Sequence, residues 1–107
     1  MGFILCYIRK HVLYLSHREV GEKLGGLTPI TVGNYELGNT KMTFQYMEKF
    51  CSTFNIEVQR VLDLYLICRC YDVQTSRDTL DVMVSGARSN FLCIINLIIE
   101  EVKEANK

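Results

Sequence analysis

Residues 27–39, LTPITVGNYELGN, decide how this chain is interpreted. Thr28 is a favourable N-cap, and Pro29 fits the first helical position, where the missing N–H of proline costs nothing. Gly38 is a typical helix stop, because glycine adopts the left-handed conformation that ends many helices. The stretch therefore predicts a short helix over residues 29–37.

A second short helix is predicted just before it, in residues 15–25, LSHREVGEKLG. Ser16 is followed three residues later by Glu19, which is the spacing of a capping box, and Gly25-Gly26 ends the segment. Two short helices joined by a glycine turn have the form of a helix-turn-helix.

The rest of the chain also shows helical spacing of its apolar residues, and the glycines fall between these runs. The class is therefore predicted to be all-α, with Val32 and Tyr35 facing inward. The other predicted helices are residues 3–13, a segment from Thr43 with Phe44, Met47, Cys51 and Phe54 inside, a segment from Val58 to about residue 70, and residues 89–105. Asn55-Ile56 breaks the chain before Val58, and residues 80–87 also recur helically.

Composition excludes several functions. The chain has 107 residues, 12 basic and 12 acidic side chains and no net charge, which argues against a non-specific polyanion binder but not against a compact DNA-binding face. Five cysteines, an odd number without a secretory signal, indicate reduced thiols in the cytoplasm. Cys68 and Cys70 form a lone pair, so no metal or cofactor is predicted.

No membrane or catalytic role is predicted either. The apolar stretch from Phe91 to Ile99 is far below the ~20 residues needed to cross a bilayer. His11 and His17 lie in no recognisable catalytic setting, and there is no phosphate-cradling glycine loop, so the protein is not predicted to be an enzyme.

The ordered series LSHREVGEKLG, LTPITVGNYELGN and FQYMEKFCSTFNIEVQRVL resembles the Cro/phage-repressor (XRE-type) helix-turn-helix family over about residues 5–65. The resemblance implies a five-helix, lambda-repressor-like DNA-binding domain, placed at residues 1–71. There are three departures: Gly26 makes the turn one residue longer, Gly21 replaces the commoner alanine, and Met42 replaces a proline. The longer turn is expected to tilt the reading helix, and the other two are interpreted as packing variation.

The resemblance also implies which residues contact double-stranded DNA. Residues at the start of the helix over 29–37 would meet base edges, and residues before and after it would hold phosphates. The groove set is Pro29, Ile30, Thr31 and Asn34, and the backbone set is His17, Arg18, Asn39, Lys41 and Thr43. Thr28, the predicted N-cap, is also a predicted DNA-binding residue. Asn34 suits adenine and the apolar side chains suit the thymine methyl, while no arginine is available for guanine, so an A·T-rich site is expected.

Residues 72–107 are predicted to be a helical C-terminal extension that forms a homodimer. The final helix is apolar nearly all round, which one core is not expected to bury, and its copy in another chain is the natural second surface. The predicted dimer residues are Phe91, Leu92, Ile94, Ile95, Asn96, Ile98, Ile99 and Val102.

A second function stays open. The same architecture serves an antirepressor or protein-interaction module that has lost its DNA face. Zero net charge, the longer turn and Pro29-Ile30 in the reading helix favour this alternative, whereas His17, Arg18, Asn34 and Lys41 favour DNA.

Overall fold

The computed structural model describes residues 2–70 and 85–105. These residues form six α-helices and one π-helical turn and contain no strand, which confirms the all-α class. The helices are α1 (Gly2–Ile8), α2 (His17–Lys23), α3 (Pro29–Leu37), α4 (Phe44–Thr53), α5 (Val58–Cys70) and α6 (Ser85–Ala105). The first helix continues into the π-helical turn Arg9–Leu13, so that together they cover the predicted residues 3–13.

Side-chain caps fix three helix starts where the sequence predicted them. Ser16 and Glu19 form a complete capping box, with both backbone-to-side-chain distances at 3.1 Å. Thr28 and Thr43 each accept a hydrogen bond from the backbone N–H three residues later. Gly38, with φ of 80°, ends α3 in the left-handed conformation.

A single apolar core joins α6 to the N-terminal helices. Phe91, Ile95 and Ile98 are buried in the same cluster as Ile4, Val32 and Phe50. The ring of Phe91 meets that of Tyr7 edge-on, with 5.3 Å between the ring centroids. The proposed boundary at residue 71 borders residues 71–84, which lie outside the described part of the chain, so the division into 1–71 and 72–107 stays a prediction.

The core buries one side of α6, which corrects the prediction that Phe91, Ile95 and Ile98 contact a second chain, and it leaves Leu92 and Leu97 exposed. This helix packs against both α5 and the π-helical turn, so two neighbours cover a wider arc than one would. Phe91, Ile95 and Ile98 are therefore taken up by the core of their own chain and are not available to a second chain. Of the other predicted dimer residues, Ile94, Ile99 and Val102 are partly buried against the core, and only Leu92 and Asn96 are exposed.

Glu101 fixes α6 to the start of α5. Its carboxylate accepts hydrogen bonds from the side chain of Arg60 at 2.9 Å and from the backbone N–H of Glu57 at 3.0 Å. Its backbone carbonyl accepts from the Asn55 side chain at 3.1 Å. A carboxylate at the N-terminus of α5 satisfies a backbone donor that the helix itself leaves open.

Phe44 does not lie on the buried side of α4, where its apolar spacing with Met47 and Cys51 predicted it. Its side chain is 62% exposed, because the buried stripe of α4 begins after its first residue and is formed by Tyr46, Met47, Phe50 and Cys51. The break predicted at Asn55 is confirmed, and this residue has a φ of 58°.

Candidate nucleic-acid interface

The turn between α2 and α3 is closed by hydrogen bonds to one carbonyl. The backbone N–H groups of Gly26 and Leu27 both donate to the Gly21 oxygen, at 3.0 and 2.9 Å. Gly25 and Gly26 have φ values of 95° and 91°, which side-chain-bearing residues rarely adopt. The turn thus contains two consecutive glycines in the left-handed conformation.

Gly21 is required by this turn. A Cβ atom at residue 21 would lie 2.1 Å from the carbonyl oxygen of Leu27. The interpretation of Gly21 as packing variation is therefore wrong: Gly21 and the left-handed glycines Gly25 and Gly26 belong to one turn arrangement.

The predicted groove residues lie in the first two turns of α3. Pro29 and Ile30 are exposed, and Ile30 keeps 76% of its surface, whereas Thr31 and Asn34 are partly buried. Asn34 follows Ile30 by four residues and Thr31 by three, so its side chain is a neighbour of both on the helix surface. Thr28 is exposed at the start of the helix and its hydroxyl lies 2.9 Å from that of Thr31.

The side chains predicted to contact phosphate are compared by their exposure and by the hydrogen bonds that they already make. Arg18, Asn39, Lys41 and Thr43 are exposed. The Arg18 side chain lies 3.6 Å from the carboxylate of Glu22, but both groups are largely exposed, so this pair is weak and its arginine can reorient. The Thr43 hydroxyl already accepts the capping hydrogen bond of α4, and Asn39 lies 3.5 Å from the side-chain oxygen of Asn34.

His17 is held by a buried carboxylate that the sequence analysis missed. Its Nε2 atom lies 2.9 Å from Oε1 of Glu36, and the Glu36 side chain is only 5% exposed. Glu36 also accepts from Arg9, with Nε 2.7 Å from Oε2 and Nη2 3.1 Å from Oε1. The Nη1 atom of Arg9 donates to the carbonyl of Leu15 at 2.9 Å.

This buried cluster connects the π-helical turn Arg9–Leu13 with α2 and α3. Burial alone would raise the pKa of Glu36, but hydrogen bonds from Arg9 and His17 and the charge of Arg9 outweigh it and lower the pKa below its ordinary value. Burial alone would lower the pKa of Arg9, and the Glu36 carboxylate raises it instead. Both groups are charged at neutral pH, so α3 is fixed to the π-helical turn Arg9–Leu13 by an ion pair.

The sequence contains only a weak signal for this pair. Arg9 follows Leu5 by four residues and directly follows Ile8, so it falls on the inward side of the first helix. Nothing in the local sequence of α3 shows that Glu36 is the residue facing it.

Tyr35 packs α3 onto α4. Its ring stacks on that of Tyr46, with ring centroids 3.9 Å apart and an angle of 18° between the planes. Burial, followed by the charge of Glu36, raises the pKa of Tyr46 to about 12. The inward positions predicted for Val32 and Tyr35 are confirmed, since Val32 is fully buried and Tyr35 packs against the core.

The outer surface of α3 also carries exposed apolar side chains. Ile30 and Leu37, one on each end of the helix, keep 76% and 59% of their surface, and Phe44 follows at the start of α4. Charge is balanced in this region: residues 17–43 include three basic and three acidic side chains, of which the carboxylate of Glu36 is buried.

The described residues 2–69 and 88–105 give little support for metal binding, thiol chemistry or membrane insertion. No group of three metal-ligating side chains lies there. Burial raises the pKa of the Cys51 thiol to about 11 and that of Cys68 above its ordinary value, which makes both thiols poor nucleophiles. No helix in this part of the chain has the length and apolar character to span a bilayer.

Comparison with known proteins adds no family. No protein-family model, no curated protein and no solved structure matches this chain.

Proposed function

We propose that the protein is a transcriptional regulator that binds double-stranded DNA with the α2–α3 unit. The observation that carries this proposal is the exposed start of α3, with hydrogen-bonding and apolar side chains on a helix that a buried ion pair fixes to the rest of the domain. A reading helix must be held rigidly to place side chains against base edges. In this protein Arg9 and Glu36 supply that rigidity.

Each side chain has a role that its chemistry permits. Asn34 pairs with adenine, Thr31 donates or accepts, and Ile30 contacts a thymine methyl group. Arg18 and Lys41 are exposed cations that approach phosphates, and each phosphate neutralised releases counterions. An A·T-rich site is expected because the groove residues include no arginine.

The experiment is selection of bound sequences from a random duplex pool, followed by titration with the selected duplex at several salt concentrations. Asn34→Ala should cost about 1 to 3 kcal/mol on the selected duplex and relax base choice. Lys41→Ala should weaken binding to all duplexes alike and reduce the salt slope by about one.

Equal losses for Asn34→Ala on selected and random DNA would contradict the base contact. A protein that retains no duplex from the pool at low salt does not bind DNA, and the second candidate function then applies.

That second candidate is a protein-interaction module, and the exposed apolar side chains favour it. Ile30, Leu37 and Phe44 are each more than half exposed, around a helix whose surface has no charge of its own. Such a surface suits a protein partner as well as thymine methyl groups. A salt-dependent mobility shift with bulk DNA distinguishes the two functions, because only phosphate contacts give it.

A further inference from the structure

The imidazole ring of His17 is hydrogen-bonded at one nitrogen and accessible to solvent on its other side. Its Nε2 atom is bonded to the buried Glu36 carboxylate, yet its side chain is 43% exposed. Its Nδ1 atom has no hydrogen-bond partner among residues 2–69 and 88–105, and no side-chain nitrogen in that part is both buried and unpartnered. The Nδ1 atom is therefore open to solvent, on the α2 side of the reading helix.

The carboxylate determines which nitrogen carries the proton. Glu36 is ionised at neutral pH, because Arg9 and His17 lower its pKa, and an ionised carboxylate only accepts hydrogen bonds. The Nε2 atom must therefore be the donor. A neutral imidazole has one N–H group, so neutral His17 presents a bare lone pair at Nδ1.

Arg9 and Glu36 stay charged between about pH 6 and pH 8, the range in which histidines as a class titrate, because the pKa of Arg9 is raised and that of Glu36 is lowered. Arg9 lies in the π-helical turn and Glu36 in α3, and Arg18 and Glu19 follow His17 on α2. Glu36 also affects two further titratable groups, Cys6 near Arg9 and Tyr46 on α4. The pKa of the Cys6 thiol is raised by burial and by Glu36, and burial and Glu36 raise that of Tyr46 to about 12, so both stay protonated.

We propose that Glu36 is a positioning residue that makes His17 a proton-dependent phosphate contact: His17 donates to a DNA phosphate only after Nδ1 has taken up a proton. This inference rests on the proposed DNA-binding function. A phosphate oxygen is an acceptor and is repelled by the lone pair of neutral His17, whereas the protonated ring donates a charge-assisted hydrogen bond. DNA binding near neutral pH then takes up as much as one proton per chain, and affinity decreases as pH rises.

The test compares three proteins on one selected duplex across about pH 6 to pH 8 at fixed salt. The unchanged protein should bind on the order of tenfold more weakly at the upper pH. His17→Gln should lose this dependence, because glutamine keeps a neutral hydrogen-bonding side chain. His11→Gln is the matched control: His11 lies in the π-helical turn beside Tyr7, and its replacement should leave the pH dependence unchanged.

Nitrogen NMR of the free protein supplies a second measurement that needs no DNA. The inference expects the Nε2–H tautomer of His17 at high pH, and the Nδ1–H tautomer would overturn it. An equal pH dependence in His17→Gln and the unchanged protein would overturn the inference but leave DNA binding intact. No binding by the unchanged protein at any pH would overturn the proposed function and this inference together.

Discussion

Gly21 shows how one residue without a side chain determines the shape of the α2–α3 turn. Its carbonyl receives two backbone hydrogen bonds from the turn, and this brings the Leu27 carbonyl to the place where a Cβ atom would be. A contact of 2.1 Å with a backbone atom is not relieved by rotating a flexible side chain. The turn has to move.

We therefore expect Gly21→Ala to destabilise the protein by about 1 to 3 kcal/mol, as overpacking of a tight site does. Gly33→Ala is the matched control, since the nearest atom to its new Cβ is 4.0 Å away and alanine favours a helix over glycine by about 0.5 to 1 kcal/mol. Denaturant unfolding measures both. Equal effects of the two substitutions would show that the turn adapts and that Gly21 is not required.

Arg9 and Glu36 are a second example at the scale of residues. Their side chains are 6% and 5% exposed, so both charges are removed from water, and each is stable there only because the other is present. Removing one partner leaves an uncompensated buried charge.

Glu36→Gln should accordingly cost about 3 to 5 kcal/mol at neutral pH, and Glu48→Gln, on the exposed side of α4, should cost little. The pKa of Glu36 is lowered from its ordinary 4.5, so the ion pair stabilises the fold fully above that pH. This stabilisation is lost as the pH falls through the lower folded-state pKa. Denaturant unfolding should therefore show that the difference in unfolding free energy between Glu36→Gln and the unchanged protein becomes smaller in acid. A difference that stays constant with pH would contradict this role of the ion pair.

At the scale of elements, α6 is part of the core of the domain. It contributes three buried side chains to the shared core, and Glu101 satisfies a backbone N–H at the start of α5. A chain shortened before α6 would expose that core, so we expect it to unfold rather than remain as an independent reading head.

Two adjacent residues of α6 test this packing. Phe91 is 1% exposed and Leu92 is 37% exposed. Phe91→Ala should destabilise the protein by about 3 to 5 kcal/mol, because a large ring is lost from a close-packed site. Leu92→Ala should cost well under half of that, and thermal unfolding compares the two. Similar losses would mean that both sides of α6 are covered.

At the scale of the whole molecule, α6 has less exposed apolar surface available for the predicted homodimer than the sequence suggests. The core uses Phe91, Ile95 and Ile98, which leaves Leu92, Asn96 and Leu97 on the exposed side of α6. Since apolar area drives association, two partly exposed leucines are expected to support a reversible dimer and not an obligate one.

Sedimentation across a dilution series should therefore show a monomer–dimer equilibrium. Replacing both Leu92 and Leu97 with glutamine should shift it to monomer, whereas Leu66→Gln, on the exposed side of α5, is the control. A protein that is monomeric at every concentration would rule out the homodimer, and a response to Leu66→Gln alone would move the interface to α5.

The sequence by itself determined the helices and most of their ends. Ser16, Thr28, Pro29 and Gly38 act through hydrogen bonds and backbone conformations that involve only near neighbours in the chain, so their effects can be predicted from local sequence. The all-α class follows for the same reason. The candidate DNA-contacting residues are also local to this motif.

The tertiary structure decided which residues meet across the chain. The pairing of Arg9 with Glu36 spans 27 positions, the contact of Gly21 with the Leu27 carbonyl depends on how the turn closes, and the burial of Phe91 depends on two helices distant in sequence. An apolar stripe predicts that one side of a helix is buried, but it does not identify the element that covers it. Only the packed chain shows that α6 is covered largely by its own domain, and that the carboxylate of Glu36 faces inward to hold His17.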